Sequence, residues 1–421
     1  MSTIDHVDFF TDPSVVANPC PYYASLRAGG PVQREPHHNV MVVTGYEEAS
    51  EFYRANDNFS NCVTVTGPFP PLPFEPVGDI GALIDEYREH FPMFEHLVTF
   101  DAPKHTAHRH LLKSLFTPRR LRENEEFVWR LADRQIDEFL AQGKCEFMTE
   151  YAQPFAVLVI ADLLGVPEAD RDAFRVHLGA QRPGATDTEQ ALTGNPLEFL
   201  EQKFSAYLEQ RRREPGDDVL SALAGAKFPD GSTPEIMDLV RLACFLFAAG
   251  QDTTARLLTS GMRILAENQE LQKQLRADET RIPDFVEETL RLEGPVKSDF
   301  RLTRQATTLG GVDIPAGTML MVLPGAANRD PSRFENPDEF DIDRPNVREH
   351  VSFARGIHTC PGGPLARMES RASLQRILAR MANIRISETE HGPADNRDFE
   401  YEPTYILRGL KRLHLEYEPV E

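Results

Sequence analysis

Cysteine is scarce and scattered in these 421 residues: Cys20, Cys62, Cys145, Cys244 and Cys360 are odd in number and show no Cys-x-x-Cys spacing. Neither a disulfide framework nor a zinc site is therefore indicated, and a reducing cytoplasm is the expected compartment. Basic charge is also short, with 45 Lys and Arg against 66 Asp and Glu and a formal net charge of −21. That argues against nucleic acid as a partner and makes any local basic cluster informative. Long apolar runs are missing. The most apolar stretch, near Phe155–Val166, is too short to span a bilayer and contains Asp162, and the opening Met-Ser-Thr-Ile-Asp-His-Val-Asp is polar, so no membrane anchor is expected. No Gly-x-Gly-x-x-Gly follows a predicted strand, no reductase-sized extension is present, and there is no internal repeat or low-complexity tract. With 41% hydrophobic and 26% charged residues, the composition is that of a globular protein with a substantial core.

What the chain does have is the stretch 352–363, Ser-Phe-Ala-Arg-Gly-Ile-His-Thr-Cys-Pro-Gly-Gly. It sets Cys360 between a glycine-rich loop and a predicted helix start, where orphan amides favour a thiolate, the form that binds soft transition metals. Taken alone, such a cysteine is either a structural residue beside a turn or a ligand. The pattern Phe353-x-x-Gly356-x-His358-x-Cys360, followed by Gly362, resembles the haem-binding loop of the cytochrome P-450 monooxygenases. The resemblance implies haem b with Cys360 as its iron ligand. It also implies that Phe353 covers the sulfur, Gly356 lets the backbone pass close to the ring and His358 reaches a propionate. Pro361 stands where the family loop more often has an amide aimed at the sulfur, and it equally suits the first turn of a helix.

Other segments extend the resemblance from about residue 17 to the end. Residues 101–122 resemble the haem-contacting helix, with His105 and Arg109 one turn apart and so able to meet one anionic group, here a propionate. His105, His108 and His110 do not converge on one ion at helical spacing, so a metal site there is discounted. Between Lys104 and Arg122 there is no acidic residue, and Lys104, Arg109, Lys113, Arg119, Arg120 and Arg122 read as a docking patch. Residues 233–268 form the strongest predicted helix, with Thr233 as cap and Pro234 in the first position. Its middle, Ala249-Gly250-Gln251-Asp252-Thr253-Thr254, is either a kinked core segment or, by resemblance, the oxygen-binding motif. In that case Gly250 opens room above the iron, Thr253 bonds dioxygen and Asp252 relays protons. Glu288-x-x-Arg291 with Arg344 resembles the family's buried structural triad, and Arg301 matches a second propionate-binding arginine.

The expected fold is mainly α with a small β region (α+β), the cytochrome P-450 fold, as one domain over 1–421 with about 1–16 peripheral. Short strands are predicted at Val32–Arg34 and Val40–Val43, a helix at Tyr46–Tyr53, irregular chain over 67–78, and strands within Thr404–Leu415. The loop Arg182–Asn195 resembles the family's mobile lid. By resemblance the pocket is lined by Phe69, Phe74, Phe245, Ala248, Ala249 and Val296, which favours a lipophilic substrate of terpenoid, steroid or fatty-chain type. Lys297 either pairs with a substrate carboxylate or reaches toward a propionate or solvent. The implied activity is hydroxylation with dioxygen and two electrons from a ferredoxin and its ferredoxin reductase, by a monomer. A non-catalytic haem sensor or a peroxide-using variant is the alternative.

Overall fold

A computed structural model describes residues 6–65, 67, 71–178 and 197–420. The expectations for Phe69 and for the lid at 182–195 lie outside the described residues. Helices dominate, and among the described residues ten short strands form three small sheets. In chain order the strands are β1 (Val32–Arg34), β2 (Met41–Val43), β3 (Phe59–Ser60), β4 (Lys144–Glu146), β5 (Asp299–Thr303), β6 (Thr307–Leu309), β7 (Val312–Ile314), β8 (Met319–Val322), β9 (Met381–Ile386) and β10 (His414–Pro419). The largest sheet runs β1-β2-β8-β5-β3, with β2 and β8 parallel and the other pairs antiparallel. β4, β10 and β9 form a second sheet, and β6 with β7 a third.

The element that organises the rest is the central helix, Ile236–Glu267. Its 32 residues are apolar along much of their length, and it packs against Gln153–Leu163, Glu198–Arg213, Ile282–Glu293 and Gly363–Arg380. It begins two residues later than the sequence suggests. The Pro234 carbonyl accepts from Arg212 at 2.6 Å and the Thr233 hydroxyl from Lys227, so capping passes to Glu235, whose amide donates to Asp238 at 3.1 Å in a reciprocal box.

The basic stretch 101–122 is also divided. One helix covers Lys104–Leu111, a 3-10 turn follows, and Thr117 caps a second helix, Pro118–Phe139. Arg119, Arg120 and Arg122 therefore belong to a different helix from His105 and Arg109. The tail also departs from expectation: between 404 and 413 there are only isolated bridges, Val296 with Leu407 and Tyr401 with Leu410, because Thr404 Oγ1 and nearby carbonyls close a tight turn instead. Residues 9 and 10 are not peripheral. Phe9 and Phe10 are 1% exposed, and the Phe10 ring lies 5.5 Å from Tyr405 and 6.3 Å from Phe300, inside a core shared with β5.

Candidate active site

The Cys360 loop is held from outside by carboxylate and amide chemistry. Glu287, buried on Ile282–Glu293, lies 3.1 Å from His350 Nε2 and accepts both Nε and, at 3.0 Å, Nη2 of Arg367. Although burial opposes ionisation, bonds from His350 and Arg367 hold its carboxyl down at about 2. Ser352 donates to the Leu290 carbonyl at 2.6 Å, and Asn328 bridges the Val351 amide and the Ser352 hydroxyl at 2.8 Å each. Next to these, Glu288 takes a two-pronged contact from Arg291 at 2.7 and 2.8 Å and a third bond from Arg344 at 3.1 Å. The two arginines spend their remaining donors on carbonyls of Asn328 and of residues 335–339. Glu288, Arg291 and Arg344 thus fix the chain that leads into the loop.

Within the loop, the Cys360 amide donates to the Phe353 carbonyl at 2.9 Å. Although Cys360 keeps exposed surface, desolvation by the protein packed around it raises the thiol, while the amides of Gly362 and Gly363 and the guanidiniums of Arg109 and Arg367 act the other way. Phe353 is sandwiched below Arg367, whose guanidinium stands 4.5 Å from its centroid. Gly356 answers to protein backbone: its φ is +71°, and a Cβ there would sit 2.7 Å from the Tyr53 carbonyl oxygen.

Three segments bring nitrogen donors together beside this loop. His105 and His358 place their rings 3.9 Å apart, centroid to centroid, and Arg109 donates to the Thr359 carbonyl at 2.6 Å. Arg301 on β5 donates to Thr64 Oγ1 at 2.9 Å and the Phe300 carbonyl at 3.1 Å, and pairs with Asp299 at 3.4 Å. Burial, reinforced by Arg109 and Arg301, pushes His105 down to about 4, and burial, Arg301, His105 and Arg109 push His358 well below the usual imidazole range. His105 Nδ1, His358 Nε2 and Arg301 Nε are buried with no partner among the described residues. Orphaned donors beside two guanidiniums make a cradle short of negative charge.

On the central helix, Thr253 Oγ1 donates back to the Ala249 carbonyl at 2.8 Å, and Asp252 Oδ1 accepts from Arg256 Nε at 3.0 Å while its Oδ2 is buried and unpaired. Gly250 faces the neighbouring helix, where a Cβ would meet Ile160 at an ordinary 3.4 Å. The residue that faces open space is Ala249, which keeps exposed surface in mid-helix, as Cys360 does in its loop. Glu369, which sequence reasoning passed over, lies five residues after Pro364 on the helix Gly363–Arg380, which packs against the central helix; burial raises its carboxyl well above the usual range.

The expected pocket is only partly assembled. Phe245, Ala248 and Ala249 share the central helix, and Val296 lies half-buried beside Leu407. Phe74 instead packs on Tyr87 at 5.5 Å, against the core that holds Phe10 and Phe300. Lys297 meets neither a pocket nor solvent: it is 3% exposed, with Nζ 3.4 Å from the Thr404 carbonyl and 4.8 Å from the centroid of Phe9. The N-terminal core takes its stem, which corrects both readings from sequence. Arg120 is likewise spent, on Asp162 and the Leu163 carbonyl, and cannot serve a docking patch. Glu287, His350 and Arg367 escaped sequence reasoning; the signal was a second carboxylate, beside Glu288, in an apolar helix.

A soft sulfur ligand with exposed surface, next to unspent donors that match carboxylates, fits haem and its propionates. The comparisons agree. The family model described as Cytochrome P450 matches residues 189–399. The chain is 32% identical to Cytochrome P450 144 of Mycobacterium tuberculosis, covering 95% of this chain and 89% of that protein. It is 33% identical to the Vitamin D(3) 25-hydroxylase of Pseudonocardia autotrophica over 96% and 94% of the two chains. Among solved structures, substrate-free CYP150A6 of Mycobacterium marinum is similar with a TM-score of 0.94 and 60% identity, each chain covered in full. By loop, cradle, fold and relatives alike, the chain belongs to the cytochrome P450 family of haem-thiolate monooxygenases.

Proposed function

We propose that this P450 works as a single domain that hydroxylates a lipophilic small molecule, with electrons from a ferredoxin and its reductase. The observation that carries the reading is the pairing of exposed surface at Cys360, just before the helix Gly363–Arg380, and at Ala249 on the central helix, the two helices packing against each other. Apolar Phe245, Ala248 and Ala249 on the same helix favour a lipophile, and a relative named for hydroxylating vitamin D(3) supports that class. No helix among the described residues is long and apolar enough to cross a membrane.

When bound, haem supplies oxygen activation, with thiolate donation favouring O–O cleavage. The chain's own residues hold and protect it. Cys360 is its ligand, with the sulfur's charge moderated by the Gly362 and Gly363 amides. His105, Arg109, Arg301 and His358 take the propionates, and Phe353 with Arg367 keeps water from the sulfur side. Asp252 and Thr253 hand protons inward: Asp252 has a free buried oxygen, and Thr253, whose hydrogen is engaged by Ala249, has lone pairs left to accept. Lys113 and Arg122, with Arg119 exposed beside its partner Glu123, form a basic face for an acidic electron donor.

The reading is tested by supplying ferredoxin, its reductase and NADH to the haem-loaded protein with a panel of lipophiles. Product should form in step with NADH, and Thr253→Ala should keep consuming NADH while releasing hydrogen peroxide. Full product per NADH in that variant would make Thr253 a packing residue only.

A further inference from the structure

One polar side chain beside the central helix is assigned to nothing above. His96 is 8% exposed, and neither ring nitrogen has a hydrogen-bond partner among the described residues. Its backbone is nevertheless firmly held. Glu95 pairs with Arg241 of the central helix, the Thr99 hydroxyl lies 2.9 Å from the carbonyls of both Met93 and His96, and Arg88 donates to the Thr99 carbonyl at 2.9 Å. The polar groups on either side are spent and the imidazole is not. Its ring lies 6.1 Å from that of Phe245, one turn after Arg241 and one turn before the exposed Ala249. Burial lowers its pKa, with Glu201 and the Met93 backbone acting against that trend and Arg241 along with it. The neutral ring offers one donor and one acceptor, and leaving both buried and unpaired is a cost that a hydrogen-bonding ligand removes.

We infer that His96 is the polar handle of the substrate pocket and takes a hydroxyl or carbonyl oxygen of an otherwise lipophilic substrate. The inference rests on the lipophilic reading above and sharpens it. Ala249 and Thr253 lie one and two turns beyond Phe245, roughly 6 and 12 Å along the axis at 1.5 Å per residue. A hydrocarbon of the same shape leaves the imidazole unpaired and binds less well.

The test measures binding to the haem-loaded protein by Soret difference spectra for two pairs of probes that differ by one oxygen, 5α-androstan-3-one with 5α-androstane and 1-dodecanol with dodecane. The oxygenated member of at least one pair should bind about ten-fold more tightly or better. His96→Phe should lose that preference while keeping its affinity for the hydrocarbon, and His96→Gln, which retains a donor and an acceptor, should restore it. An undiminished preference in His96→Phe, or no preference in the native protein, overturns the assignment and leaves the lipophilic reading standing. Failure of all four probes to bind overturns the lipophilic reading and this inference with it.

Discussion

His105 and His358 come from distant parts of the chain and face each other at 3.9 Å, each with a buried ring nitrogen that no described residue satisfies. Two neutral imidazoles beside two guanidiniums would repel a metal cation and welcome a carboxylate. Replacing either histidine by Phe should weaken haem retention by about ten- to a hundred-fold, the worth of one hydrogen bond to a charged group. Haem transfer to apomyoglobin measures this, and unchanged transfer rates would remove the histidines from the propionate site.

Gly356 tests the loop's geometry without touching any bonding group. Its φ of +71° and the 2.7 Å approach to the Tyr53 carbonyl leave no place for a methyl group. Gly356→Ala should lose on the order of 2 kcal/mol of stability, since left-handed strain alone costs about 1 to 3 kcal/mol. Denaturant titration of the haem-loaded protein reads the loss, and an unshifted midpoint would mean that the loop yields freely.

Glu287 gives the acid limb of stability. Its carboxyl is held at about 2 in the fold and titrates in the ordinary range when unfolded, so the stabilisation is complete above that range and is lost as pH falls toward about 2. Glu287→Gln should flatten stability between about pH 4.5 and 2 relative to the native chain. Parallel pH curves for the two proteins would show that His350 and Arg367 do not depend on this charge.

Glu369 acts in the opposite sense. Burial raises its carboxyl, so the fold keeps it neutral while the unfolded chain ionises, and folding becomes costlier as pH climbs above the usual carboxylate range. Glu369→Gln keeps the size and polarity of the side chain without that cost. Its melting temperature should exceed the native value at pH 7 and match it near pH 4. Equal melting temperatures at pH 7 would mean that the native carboxyl ionises in place.

The fold was legible because its signals are local. Period-3.6 apolar spacing marks the central helix, and the Cys360 loop and the Glu288, Arg291 and Arg344 positions can be read as short motifs in order. What escaped depends on contacts between distant segments. Lys297 looks like a pocket residue until Phe9 and Thr404 close over it, and Arg120 looks like part of a surface patch until Asp162 takes it. Gly250 suggests space, yet Ile160 fills its side of the helix and Ala249 holds the open face. His96 carries no motif at all; its meaning lies in the absence of a partner, which only packing reveals.

The central claim is that the Cys360 sulfur ligates haem iron as a thiolate. The carbon monoxide complex of the reduced, haem-loaded protein should show a strongly red-shifted Soret band, and Cys360→Ser should lose that band while binding carbon monoxide. A native spectrum with the Soret band of an imidazole-ligated haem, or a Cys360→Ser spectrum identical to the native one, would contradict it.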